Sequence, residues 1–183
     1  MSYCDFVKQL SMATDDPNKA YHDYAYGFPI ENDDELFERL VLEINQAGLS
    51  WTLILKKQQA FREAYAQFDI AKVAKFTDHD IERLLNDKGI IRNRLKVNAA
   101  IYNANRILEI QAEYGSFKAW LDYHHPLSLK EWVKVFKQHF KFVGGEIVNE
   151  FLMSTSYLPG AHDENCPCYK NVISANPHWL REL

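Results

Sequence analysis

A chain of 183 residues, 47% of them apolar, is long enough to bury a sizeable core and fits one domain, or one domain with a closely packed subdomain. No apolar run reaches the length that spans a bilayer, and Met1-Ser2-Tyr3-Cys4-Asp5 has neither the basic nor the apolar region of a secretory leader. A net charge of −4 argues against a protein that holds nucleic acid by its overall field, and three cysteines, an odd count, argue against a disulfide framework and for a reducing cytoplasm.

Helical spacing dominates, strand-like alternation is nearly absent, and the expected fold class is all-α. Asp33 and Asp34 are expected to cap a helix whose apolar stripe is Leu36, Phe37, Leu40, Val41 and Ile44. Leu53 to Phe68 reads as a second helix and Asp69 to Phe76 as a short third. Thr77-Asp78-His79-Asp80 has the pattern of a capping box, and its helix is expected to end near Lys88-Gly89. A long helix follows from about Asn93 to Tyr114. Ser128 with Glu131 opens another, and Gly144-Gly145 precedes a last one to about Ser156. From Leu158 onward Pro, Gly, Asn and Cys166-Pro167-Cys168 predict an irregular tail. This tail and the N-terminal segment need something to hold them down. Phe61, Tyr65, Phe68, Phe117, Trp120, Trp132 and Phe136 are assigned to packing, and Tyr123-His124-His125-Pro126 to a solvent-facing turn.

The two ends carry Cys4, His22, His162 and Cys166. Two thiolates and two imidazoles suit tetrahedral zinc, and a closed set of four ligands is structural rather than catalytic. A clip of this kind closes a chain-length loop and removes denatured-state freedom. Only His162-x-x-x-Cys166 is local, so the spacing also admits two surface histidines beside unrelated buried cysteines, with Cys168 and His178 as nearby competitors.

Glu43 stands late on the apolar helix, just before Asn45-Gln46-Ala47-Gly48-Leu49-Ser50-Trp51. A carboxylate there is either solvated at the helix edge or turned inward. The sequel favours a ligand: Gly48 allows close backbone approach, Leu49 offers a wedge between base pairs, and Trp51 a stacking face. Farther on, Phe140-Lys141-Phe142-Val143-Gly144-Gly145 is either an ordinary corner between helices or a hairpin whose amides grip a phosphate. Lys134, Lys137 and Lys141, with Arg92, Arg94 and Lys96, offer local positive charge or simply solvated faces.

Ala20-Tyr21-His22-Asp23 and Leu42-Glu43-Ile44-Asn45-Gln46-Ala47-Gly48-Leu49-Ser50-Trp51, flanked by Cys4 and His162-x-x-x-Cys166, resemble the 3-methyladenine DNA glycosylase I family of the helix-hairpin-helix glycosylase superfamily. The resemblance extends from Cys4 to Tyr169 and implies a monofunctional enzyme that flips 3-methyladenine out of alkylated duplex DNA and hydrolyses its glycosidic bond. By the same resemblance Glu43 and Tyr21 read the base, and Trp51, Phe6 and Tyr26 stack around it. Gly48, Leu49, Lys141, Phe142, Val143 and Gly144 meet the DNA, and Cys4, His22, His162 and Cys166 hold a structural zinc. No catalytic cofactor, membrane or obligate protein partner is implied. Asp163 is assigned to the surroundings of the metal.

The expected layout is one domain over residues 1–183, with a zinc subdomain from 1–30 and 158–183 on a helical core of 33–157. Four positions depart from the family pattern: His139 stands in the hairpin where glycine is frequent, Phe6 and Tyr26 stand where tryptophan is usual, and Ile44 where glycine is common. Ile44, Phe6 and Tyr26 motivate the alternative, a lesion-binding module of the same fold that has lost turnover.

Overall fold

The structure, a computed structural model, describes residues 1–10 and 15–181, and among these there is no strand. In chain order the helices are α1 (Tyr3–Gln9), α2 (Pro17–Tyr24), α3 (Asp33–Gln46), α4 (Trp51–Ala64), α5 (Ile70–Val73), α6 (Asp78–Asn86), α7 (Arg94–Tyr114), α8 (Phe117–His124), α9 (Leu129–His139), α10 (Gly145–Ser154) and α11 (Pro167–Ser174). The all-α class expected from the sequence is the one found.

Helix α3 is the hub, packing on α4, α5, α7, α8 and α10. Its stripe of Leu36, Phe37, Leu40, Val41 and Ile44 is wholly buried, so the helix is held chiefly by tertiary burial of one face. Phe61, Tyr65, Phe68, Phe117, Trp120, Trp132 and Phe136 all lie in the same core, as assigned.

The aspartates at the start of α3 do something other than cap it. Asn32 is the N-cap, its side chain accepting from the Glu35 amide. Asp33 instead accepts from the amides of Phe117 and Lys118 at 2.8 and 3.0 Å, capping α8, and Asp34 accepts from the Ile70 amide at the start of α5. Each carboxylate supplies the N-terminus of a neighbouring helix, which ties three elements together electrostatically.

Three further expectations need correction. The helix read from Leu53 to Phe68 stops at Ala64, because Ala66, Gln67 and Phe68 all have positive φ of 52–57° and turn the chain sharply. The tail is not wholly irregular, since Pro167 opens α11 at its first position, where a missing N–H costs nothing. The segment Tyr123–Pro126 faces solvent only in part: Tyr123 and Pro126 are exposed, while His124 and His125 are half-buried. Their rings pack against Trp120 and Tyr157, and burial lowers the pKa of both imidazoles.

The box at Thr77 forms, with the Thr77 amide donating to Asp80 at 2.9 Å, and so does the one joining Ser128 and Glu131. The N-terminal segment folds as α1 and α2, with α2 packed on α4.

Candidate functional site

Cys4 on α1, His22 on α2, His162 in the loop after α10 and Cys166 at the N-cap of α11 converge, all four buried. Cys4 Sγ lies 3.3 Å from His22 Nε2 and 3.6 Å from His162 Nδ1, and Cys166 Sγ lies 3.6 and 3.8 Å from the same two nitrogens. A tetrahedral zinc, with bonds of about 2.3 Å to sulfur and about 2.0 Å to nitrogen, sets its S···N edges at about 3.6 Å. The donor set therefore fits a metal ion in kind and in spacing.

The remaining ring nitrogens are also occupied. His22 Nδ1 lies 2.7 Å from Asp23 Oδ1 and His162 Nε2 lies 2.8 Å from the Tyr26 carbonyl, partners that fix which nitrogen faces inward. The Asp163 amide donates to Cys4 Sγ at 3.5 Å. Burial pushes the Cys4 thiol up to about 11, so a cation at the centre is what would hold it as thiolate.

Cys168 is buried nearby but on the opposite side of His22. Its sulfur lies 3.3 Å from Asp23 Oδ1 and faces His22 Nδ1, away from the four converging atoms. It cannot replace Cys166 without turning the His22 ring over. His178 is engaged elsewhere, stacked at 4.0 Å on Tyr157 and bonded to Ser156 at 2.7 Å. Gly27 was not singled out from sequence, yet with φ +85° it lets the chain after α2 pass Ala161. A Cβ at Gly27 would stand 2.7 Å from that of Ala161.

Beside this cluster opens a cleft of about 910 Å³, lined from α2, α3, α4, α10 and the start of α1. Glu43, Tyr21, Trp51 and Tyr26 all line it, as does Gly48. Glu43 is only 4% exposed, and burial pushes its carboxyl up to about 8, opposed by Arg39 and reinforced by Glu150. The Tyr21 hydroxyl and Trp51 Nε1 are buried without a hydrogen-bond partner. Ser154 lies near that hydroxyl, but its own hydroxyl is bonded to the Phe151 carbonyl at 3.0 Å. Arg39 stacks its guanidinium 5.0 Å from the centre of the Tyr21 ring and donates to the Ser154 carbonyl, backing the ring from behind. Other buried polar atoms, such as Trp120 Nε1 and the Tyr65 hydroxyl, also lack partners, but the Tyr21 hydroxyl and Trp51 Nε1 share one cleft with a carboxyl, and that combination marks a ligand space.

Phe6 is not among the residues that line the cleft. Tyr3 takes that place, with Phe6 stacked on it at 6.2 Å and Tyr26 meeting it edge-on at 5.3 Å. Ile44 is 1% exposed within the core, so its bulk stays out of the cleft although it follows Glu43 in sequence. Glu150 on α10 is a lining carboxylate that the sequence reading missed, and the Tyr26 hydroxyl donates to it at 3.3 Å.

Two loops flank the mouth. Gly48, at φ +80°, turns the chain after α3 and presents Leu49, 37% exposed. Lys96 is buried and donates to the carbonyls of Asn45 and Ala47 at 2.9 and 2.8 Å, capping the C-terminus of α3 where positive charge is favoured. The same ammonium lies 5.9 Å from the centre of the Phe142 ring in the second loop.

That second loop joins α9 to α10, with Phe142 at φ +61°, Val143 buried and Phe142 38% exposed. Asn103, wholly buried, clamps it by donating to the Lys141 carbonyl at 3.1 Å and accepting from its amide at 2.8 Å. Gly144 caps α10 with no side chain, and a Cβ at Gly144 or Gly145 would meet nothing within 4 Å, so this helix start is open to an approaching molecule. Lys141 Nζ lies 4.1 Å from the centre of the Tyr102 ring on the same side.

The family model described as methyladenine glycosylase matches residues 11–130. DNA-3-methyladenine glycosylase 1 of Escherichia coli (strain K12) is 35% identical over 92% of this chain and 97% of its own length. The DNA-3-methyladenine glycosylase of Haemophilus influenzae is 32% identical over 90% of this chain and 96% of its own. Among solved structures, 3-methyladenine DNA glycosylase I from Staphylococcus aureus, studied for its recognition of 3-methyladenine, superposes with a TM-score of 0.77 at 34% identity, covering 85% of this chain and 93% of that one. The chain belongs to the methyladenine glycosylase family.

Proposed function

We propose that this protein is a monofunctional DNA glycosylase that removes 3-methyladenine from alkylated duplex DNA. The observation that carries the reading is the cleft. Glu43 and Tyr21 present a buried carboxyl and a buried unpartnered hydroxyl there, walled by Trp51 and Tyr26, in a chain whose relatives bear the name of that activity. A flipped base needs an edge to read and a face to stack on, and these residues supply both. A carboxylate only accepts hydrogen bonds, so Glu43 takes the exocyclic amine, while the Tyr21 hydroxyl is free to donate to a ring nitrogen.

The lesion supplies much of the driving force. Methylation at N3 makes the base cationic in DNA, so its bond to the sugar is weak and no strong general acid is needed. Buried against a carboxylate, a cationic base is favoured over neutral adenine. Among the described residues no lysine lines the cleft, which supports hydrolysis by water without a Schiff base and hence without strand cleavage. Ile44 lies in the core, which leaves Phe6 and Tyr26 as the departures that motivate a module without turnover.

The DNA would be held by the open start of α10 and the amides of the Phe140–Gly144 corner, the hairpin of a helix-hairpin-helix element, with Lys141 beside it and Leu49 filling the gap left by the flipped base. Zinc on Cys4, His22, His162 and Cys166 would tie α1, α2 and the tail into one unit, residues 1–30 and 158–183, packed on the 33–157 core in a single domain. Its role is structural, since all four positions are filled by protein. The three free, buried cysteines suit a reducing cytoplasm. Chromatography of the bases released from methylated duplex DNA tests this function. Free 3-methyladenine in the supernatant, with strands intact, is the expected result, and its absence with folded, metal-loaded protein overturns it.

A further inference from the structure

We infer that Glu150 is a second carboxylate of the excision reaction, placed toward the mouth of the cleft to face the deoxyribose while Glu43 holds the base. This rests on the glycosylase reading above and adds a catalytic residue to it.

The charge around the cleft is one-sided. Glu43, Glu146, Glu150 and Asp163 line it, and among the described residues no lysine, arginine or histidine does. Arg39, whose charge acts on Glu43, is turned to the Tyr21 ring and the Ser154 carbonyl. The Tyr21 hydroxyl, on a side chain more than nine-tenths buried and unpartnered, marks the same space independently as one that receives a ligand.

The four carboxylates are not equivalent. Asp163 accepts from Ser2 Oγ at 2.5 Å and adjoins the metal cluster, and Glu146 is exposed. Glu43 is at the bottom. Glu150 is half-buried and held through one oxygen by the Tyr26 hydroxyl, while among the described residues nothing bonds its other oxygen.

Its place on α10 gives the direction. Glu150 lies five residues from Gly145, about 7–8 Å along the axis from the helix start that would grip a phosphate. A nucleotide whose base reaches Glu43 and whose phosphate sits at that start carries its sugar between the two, past Glu150.

The chemistry asks for a group there. As the bond between C1′ and the base nitrogen breaks, its electron pair passes into the ring and the base leaves neutral. The positive charge moves to the sugar, away from Glu43. Water then bonds to C1′ through its oxygen, and its proton goes to Glu150 and on to solvent. Burial raises the Glu150 carboxyl above its ordinary value, opposed by the Tyr26 hydroxyl, which makes the carboxylate a better proton acceptor.

The test is single-turnover excision of 3-methyladenine from duplex DNA at saturating protein, above the pH at which Glu43 titrates, for the parent, Glu150→Gln and Glu150→Asp. Both variants are near in size at a half-exposed position, and the melting temperature verifies folding. The expected result is a rate lowered on the order of 100-fold in Glu150→Gln and partly restored in Glu150→Asp, with duplex affinity within about twofold of the parent. A Glu150→Gln rate within about twofold of an active parent, or a loss confined to affinity, overturns the role of Glu150 alone. A parent that releases no base overturns the glycosylase reading and this role together.

Discussion

Glu43 on α3 and Tyr21 on α2 meet at one cleft from different helices, and the protein satisfies neither polar group. The Tyr21 hydroxyl is buried without a partner, and burial pushes the Glu43 carboxyl up to about 8. Such an arrangement costs stability and suits a ligand that supplies a donor, an acceptor and positive charge. Glu43→Gln is therefore expected to lower excision of 3-methyladenine on the order of 100-fold or more while making the folded protein more stable.

The pH dependence of that stability follows in sign. The folded value of about 8 lies above the ordinary 4.5, so the contribution of Glu43 is fully present below 4.5 and is lost as pH rises toward about 8. The melting temperature of Glu43→Gln minus that of the parent should grow across this range, reaching on the order of 10 °C at its upper end. With ionised Glu43 required, kcat/KM of the parent should rise with pH through about 8. A flat profile over that interval removes the carboxylate from the rate-determining complex.

Chelation, or Cys166→Ser, is expected to lower the melting temperature by about 10 °C or more, because the Cys4–His22–His162–Cys166 cluster draws its donors from α1, α2, the loop after α10 and the start of α11, which are otherwise linked here by scattered hydrogen bonds such as Ser2–Asp163 and Tyr3–Asn18. Cys168→Ser is expected to keep one zinc per chain, since its sulfur faces the Asp23 side of His22. Metal analysis of the two variants separates the assignments: loss of zinc in Cys168→Ser would show that the tail binds in another register.

Lys96→Met leaves the Asn45 and Ala47 carbonyls without their buried cap, at a cost of about 1–3 kcal/mol, and frees the turn that carries Leu49. Excision from duplex DNA should fall more than excision from single-stranded DNA, and Leu49→Ala should show the same bias. Equal losses on both substrates would deny Leu49 a wedge role. Asn103→Ala, which unclamps Lys141, is expected to weaken duplex affinity about tenfold while sparing the affinity for free base.

Much of this was legible in the sequence, and the residues that were not share a reason. The stripe of α3, the caps at Thr77 and Ser128 and the pairing of Cys4 and His22 with His162 and Cys166 rest on local pattern or on resemblance, and they appear where expected. Asp33 and Asp34 read as caps of their own helix because capping is judged from neighbours in sequence. Their true partners, Phe117, Lys118 and Ile70, are distant along the chain. Glu150 and Asn103 were missed as site residues for the same reason, and Lys96 reads as local charge or a solvated face rather than the buried cap of α3 that it is, since a Glu, Asn or Lys inside a helix is ordinary until the fold brings it to a cleft or a loop. Tyr3 displaced Phe6 from the cleft wall because the first turn of α1 decides which of two nearby aromatics points inward. The break after Ala64 was hidden because Ala66, Gln67 and Phe68 hold positive φ without a glycine among them.

The most direct measurement is base release from methylated duplex DNA by the parent and by Glu43→Gln, with the freed bases identified by chromatography. The account predicts 3-methyladenine from the parent and on the order of 100-fold less from the variant, with both proteins folded and carrying zinc. Equal release by the two would contradict the assignment of Glu43 as reader of the base, and no release by the parent would contradict the assignment of the cleft to excision.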